Sequence, residues 1–148
     1  MSLAVMNFRT ENALRNALLR ALGDRAVEPM TEVPFLGRSL DVVYECADGS
    51  ITAIEVKRLP RHVRCAIDQA RTCLLAADRT YVCMPRYEVT DKIRSVFISS
   101  GIGLIFLGYR NRQPRIEYEI PAGPNSIKQA VYRERLRHAM RASGSVVA

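Results

Sequence analysis

Leu40-Asp41-Val42-Val43-Tyr44-Glu45-Cys46-Ala47-Asp48-Gly49-Ser50-Ile51-Thr52-Ala53-Ile54-Glu55-Val56-Lys57 is the stretch on which the reading turns. Two apolar extended segments flank the polar turn Ala47-Asp48-Gly49, and each carries one acid in an otherwise apolar run, Asp41 in the first and Glu55 in the second. An unpaired charge in such a strand is costly, so the two acids call for an explanation. The turn sets their relation. If Asp48-Gly49 alone formed the loop, Asp41 would share its face with Val56 and the carboxylates would point apart. If Gly49 is left-handed in a three-residue loop, Cys46 pairs with Ser50, Asp41 lies opposite Glu55, and Lys57 joins them on the same face. That register also collects Leu40, Val42, Tyr44, Ile54 and Val56 on the opposite, apolar face.

Outward from the hairpin, the pattern is α/β. On the N-terminal side, Thr10 suits an N-cap, and Ala13, Leu14, Ala17, Leu18, Ala21 and Leu22 recur at helical spacing until Gly23. Met30 to Leu36 then reads as a strand whose Pro34 suits an edge, followed by strands over Ser39 to Cys46 and Ile51 to Arg58. On the C-terminal side, Arg61 to Ala77 reads as a helix with Val63, Ala66, Ile67, Ala70, Cys73 and Leu74 on one face. A buried strand over Arg79 to Met84, a helix from Thr90-Asp91 to Gly101, and a strand from Gly103 to Leu107 follow. Arg115 to Ile120 alternates as a half-exposed strand, and Ser126 to Met140 forms a basic helix.

The length of 148 residues suits one domain, with a core over about 11–107, a strand and basic helix over 108–142 and a flexible tail over 143–148. A net charge of +7 and a pI of about 9.6 put a polyanionic partner in view without deciding for one. Cys46, Cys65, Cys73 and Cys83 form no C-x-x-C pair and the only histidines are His62 and His138, so the cysteines read as buried thiols in a reducing cytoplasm. The Met1 end does not read as a secretory signal, Met1-Ser2-Leu3 has the look of a cloning remnant, and the apolar stretch Val96 to Leu107 is too short for a bilayer. A cytoplasmic protein without a membrane segment is expected. A G-x-x-x-x-G-K-[S/T] phosphate loop is absent, which leaves the chain without an ATPase motor of its own.

Two carboxylates and an ammonium on adjoining strands can hold a divalent ion and act on a phosphodiester. Mg²⁺ takes oxygen ligands, keeps several waters and needs only one or two carboxylates, so Asp41 and Glu55 suffice, with the Val56 carbonyl between them as a further ligand. Such an ion lowers the pKa of a bound water and polarises the phosphoryl group. Lys57 then orients the water or stabilises the more negative pentavalent state. The plainer reading makes the three residues cross-strand ion pairs worth some tenths of a kcal/mol. Arg58, Arg61, His62 and Arg64 cluster where the second strand passes into the next helix. They stand either as a grip on a phosphate backbone or as a solvated helix start.

Asp41, then Glu55-Val56-Lys57 across a hairpin, preceded by a helix and followed by helix and strand, resembles the PD-(D/E)XK, restriction-endonuclease-like superfamily. The resemblance covers roughly Glu11 to Leu107, with Leu40 standing where the motif has Pro. It implies a three-layer α/β core with a central mixed sheet flanked by helices and hydrolysis of DNA phosphodiesters with Mg²⁺ or Mn²⁺. Asp41, Glu55 and Lys57 would be the active-site set. Some branches add a Gln on the following helix, where Gln69 stands, although a Tyr one turn later is here Cys73. Some also carry an acid on the first helix, as Glu11 does; a first-turn Glu favoured by the helix dipole is the simpler account of it. A noncatalytic nucleic-acid-binding or assembly module of the same fold is the alternative. A compact nuclease of this length is expected to select its DNA through homodimerisation or a partner protein.

Overall fold

In the computed structural model of the chain, residues 8–145 are described; Met1-Ser2-Leu3 and residues 146–148 of the expected tail lie outside them. The fold is three-layered α/β. A six-stranded mixed sheet runs in the order β1 (Val27–Phe35), β2 (Arg38–Glu45), β3 (Ile51–Val56), β4 (Arg79–Pro85), β5 (Gly103–Arg110), β6 (Gln113–Ile120). β1–β2, β2–β3 and β5–β6 are antiparallel, whereas β3–β4 and β4–β5 are parallel. Parallel neighbours need a crossover, and these two are supplied by α2 (Val63–Cys73) and α3 (Asp91–Ser100).

The helix α1 (Glu11–Leu22) starts where the Thr10 hydroxyl accepts the Ala13 amide at 3.0 Å. Its Leu14, Ala17, Leu18 and Leu22 cover Val42, Tyr44, Ile54, Val56, Cys83, Ile105 and Leu107 on one side of the sheet. On the other side α2 and α3 bury Val63, Ala66, Ile67, Ala70 and Phe97 against Val82, Met84, Leu104 and Phe106. A fourth helix, α4 (Ala130–Ser145), sets Leu136 and Met140 onto Val33, Phe35, Leu40, Val43, Ile51 and Ala53 beside the end of α2.

Several expectations need correcting. Leu40 does not share the face of Val42, Tyr44, Ile54 and Val56; it packs under α4 with Val33 and Phe35. Past Val42 the first strand of the hairpin no longer follows β3 and keeps to β1, where Leu40 pairs with Val33. α4 begins four residues later than Ser126, because the preceding segment is held extended: Asn125 Nδ2 donates to Leu74 O and Ala77 O, each at 2.7 Å, and caps the carbonyls that end the α2 region. The expected tail from 143 starts inside α4. Only Cys73 and Cys83 are buried; Cys46 is half-buried and Cys65, on the outer side of α2, is exposed. Among the described residues no helix is long and apolar enough to cross a membrane.

Acids on the body of the fold tie down the basic helix: Glu45 accepts from Arg137 Nε at 3.2 Å, and Asp78 holds more. Asp78, ahead of β4, accepts from Arg133 at 2.7 Å, from Lys128 at 2.5 Å and from the Ile51 amide at 2.7 Å. Burial works to raise the Asp78 carboxyl, but these hydrogen bonds outweigh it and hold the group well below the usual carboxylate range. Much of the C-terminal charge therefore serves docking. Asp78→Ala is expected to lower stability by about 2 kcal/mol, as loss of hydrogen bonds to a charged group does, read as a fall in the urea midpoint at pH 7.

Candidate functional site

The hairpin has the three-residue register. Cys46 N–H donates to Ser50 O at 2.8 Å, Gly49 N–H to Cys46 O at 2.9 Å, and Gly49 sits at φ +85°, where a side chain would be strained. Pairing runs from Glu45↔Ile51 to Val42↔Ile54 and ends there, one step short of Asp41 and Glu55. There the ladder opens. The Val56 N–H donates to Asp41 Oδ2 at 2.8 Å, so a side-chain carboxylate takes the place of a β2 carbonyl.

The other edge of β3 shows where the Val56 carbonyl goes. Lys57 N–H donates across to Cys83 O at 3.0 Å. Alternate residues of a strand turn their backbone groups to alternate neighbours, so the Val56 carbonyl points with its amide into the opening between β2 and β3. The Asp41 carboxylate and the Val56 carbonyl thus face the same opening, both hard oxygen donors, and Glu55 shares a hydrogen bond with Asp41. Among the described residues no group of three or more His, Cys, Asp and Glu side chains is disposed to hold an ion.

Glu55 is the electrostatically unusual member. Its side chain lies in a strand buried along its whole length, with 2% of the residue exposed. The Cys73 thiol of α2 lies 4.0 Å from Oε1, and burial pushes that thiol's own pKa up. Burial, then the charge of Asp41 and a hydrogen bond shared with it, raise the Glu55 carboxyl to about 8, against the opposing pull of Arg38 and Lys57. A divalent cation between the acids would relieve both burdens, so the residues fit the group that the motif implies.

Beside Asp41 opens a cleft of about 110 Å³, lined by Glu11, Asn12, Arg15, Glu32, Asp41 and Val56. That is well under the ~300 Å³ at which pockets for drug-sized ligands begin. Lys57, one residue beyond the end of β3 rather than within it, sets Nζ 3.9 Å from Glu11 Oε1. A larger cavity of about 530 Å³ lies at the hairpin-loop end, by Glu45, Cys46 and Arg137, away from the paired acids.

The remaining sequence candidates are more scattered. Arg58 is half-buried and donates to Phe8 O at 3.5 Å, tying the chain ahead of α1 to the site. Arg61, His62 and Arg64 are exposed around the 3-10 turn Pro60–His62 and the start of α2. Gln69 is half-buried on α2, while it is Cys73, one turn on, that meets Glu55. Glu11, Arg15 and Arg38 were undervalued or missed. Glu11, read chiefly as a dipole-favoured residue, lines the cleft; Arg38 lies near enough to lower Glu55. The positive charge three residues before Asp41 was the available signal for Arg38. For Arg15 it was the i, i+4 spacing from Glu11.

No protein-family model and no curated protein matches this sequence. Among solved structures, the chain is similar to the SPO1766 protein of unknown function from Silicibacter pomeroyi, with a TM-score of 0.66, 16% identity and coverage of 95% of this chain and 90% of that one. It is also similar to a repair endonuclease from Pyrococcus abyssi, with a TM-score of 0.48, 19% identity and coverage of 71% of this chain and 50% of that one. A third similarity is to EndoMS in a complex with double-stranded DNA, with a TM-score of 0.47, 18% identity and coverage of 76% and 49%. This chain spans about half the length of the two endonucleases. The first likeness shows a shared α/β fold with a six-stranded mixed sheet; the two endonuclease scores are too low to bear on activity.

Proposed function

We propose that the chain is a metal-dependent phosphodiesterase of PD-(D/E)XK type acting on DNA, with Asp41, Glu55 and the Val56 carbonyl as the ion's ligands. The observation that carries this reading is the contact between a buried, proton-retaining Glu55 and an Asp41 fixed by the Val56 amide, at the mouth of a small polar cleft. A divalent ion held there would acidify a water and offset charge on the phosphoryl oxygens. The chain's own groups do the rest. The Val56 amide fixes one carboxylate oxygen of Asp41, leaving the other to the opening. Lys57 brings a cation that is 17% exposed, suited to orienting a water or stabilising the charge that builds up. Arg61, His62 and Arg64 stand outward as the grip on the phosphate backbone, a contact without sequence preference. Arg58 and Gln69 belong to the rim of the proposed site.

The test is incubation of purified protein with single-stranded, duplex and branched DNA in Mg²⁺ or Mn²⁺, and again in EDTA. Cleavage is expected only with the metal and is expected to vanish in Asp41→Asn, which keeps an oxygen acceptor for Val56.

A second reading, a noncatalytic DNA-binding or assembly module, is favoured by a specific observation: Glu55 is nearly sealed under Cys73 and Lys57 turns toward Glu11. It predicts salt-sensitive DNA binding that neither EDTA nor Asp41→Asn alters, with no cutting.

A further inference from the structure

The wall of the cleft facing Asp41 is built by α1 and β1, and it has features that metal binding leaves unused. Thr31↔Val42 and Val33↔Leu40 bracket Glu32, setting it opposite Asp41 in register. Glu32 holds a left-handed backbone, φ +53°, rare for a residue with a side chain and sustained only where the surroundings enforce it. Its carboxylate, 69% exposed, meets Arg15 Nη1 at 3.4 Å, near the outer limit for a hydrogen bond. Arg15 itself is 17% exposed, and its buried Nε has no hydrogen-bond partner among the described residues. A guanidinium offers five donors. Here one long contact to a loosely held acid occupies it, inside the same cleft as Asp41 and Val56.

We propose that Arg15 is the residue of this cleft that binds a non-bridging phosphate oxygen of the DNA backbone, and that Glu32 masks it until the substrate displaces it. The inference rests on the phosphodiesterase reading for its substrate class. A phosphate can engage the guanidinium from the Nη1 side, where Glu32 now sits, with a shorter charge-assisted hydrogen bond than the 3.4 Å contact it replaces. Releasing Glu32 costs little, because its carboxylate is already 69% exposed, its contact to Arg15 is long, and the freed group enters water. Arg15 is also better placed to position than Arg61 or Arg64, since it is held by the body of α1 in a nearly dry wall while those two are exposed.

The two partners should therefore respond in opposite directions, which a merely structural ion pair would not do. The probe is a fluorescent phosphorothioate oligonucleotide, single- and double-stranded, titrated by anisotropy in Mg²⁺, alongside cleavage of the natural oligonucleotide. Arg15→Met is expected to weaken binding about tenfold, ~1.4 kcal/mol, and Glu32→Gln to tighten it about threefold, with Mn²⁺ affinity by electron paramagnetic resonance unchanged in both. Opposite shifts support the proposal whether or not the protein cuts; without cutting, it is the phosphodiesterase reading that fails. Cleavage by the parent protein with binding indifferent to both changes leaves that reading standing and overturns the role of Arg15. Weakening by both variants, or no oligonucleotide binding at all, also overturns it. If Arg15→Met fails to fold, the exposed Glu32→Gln decides alone, and the absence of tightening is the overturning result.

Discussion

Lys57→Met is expected to slow metal-dependent DNA cleavage about 100- to 1,000-fold, the usual cost of removing one preorganised group that stabilises transition-state charge. Binding of DNA is expected to change much less, because the exposed arginines beside the site remain. The measurement is a single-turnover rate at saturating Mg²⁺, followed across pH. Lys57 also helps pull down the Glu55 carboxyl. Its removal should therefore move the rising limb of the pH–rate profile upward as well as lower the plateau. Lys57→Arg is expected not to rescue the rate, since a planar guanidinium does not substitute for a compact ammonium at a point-charge site. A variant that cuts within a factor of about three of the parent would remove Lys57 from the chemistry.

The second large effect concerns Glu55 and stability. Its carboxyl is raised from 4.5 to about 8 in the folded protein, first by burial and then by Asp41. Between those values the folded chain keeps a proton that the unfolded chain has released. The stability that Glu55 contributes is accordingly fully present below about 4.5 and is lost as pH rises through about 8. The loss is of order 2–4 kcal/mol at most, allowing for relaxation around the charge. Glu55→Gln stays neutral throughout, so this pH slope should flatten and the variant should exceed the parent in stability above pH 8. Adding Mg²⁺ should restore the parent and leave the variant nearly unmoved, because an ion that binds only the folded state stabilises it by mass action. Urea midpoints across this range, with EDTA and then with Mg²⁺, provide the check. A parent midpoint that neither falls with pH nor responds to the metal would make Glu55 an ordinary buried acid.

Much of the architecture was legible because period and punctuation agreed. The helical spacing after Thr10, the stop at Gly23 and the apolar face of Arg61 to Ala77 are local signals that packing left intact. The hairpin register was legible for a sharper reason: a shift by one residue would have exposed a whole face, and only a left-handed Gly49 avoids it. What escaped was set by distant partners. The side of the sheet taken by Leu40 depends on β2 following β1 rather than β3, and the start of α4 depends on Asn125 reaching the end of α2. The carboxylate pair was readable as two acids in apolar strands. Of its surroundings, Cys73, Arg15 and Glu32 come from three elements other than β2 and β3, and only the fold brings them to the pair.

Asp41 bears on two obligations at once. As acceptor for the Val56 amide it terminates the pairing of the hairpin's two strands, independently of any reaction. Descendants of such a fold that abandon hydrolysis can discard the ammonium at Lys57 freely, but they inherit a reason to keep an oxygen-bearing side chain in place of Asp41. Survival of that acid, taken alone, is therefore a poor witness to an active enzyme; the lysine is the informative one.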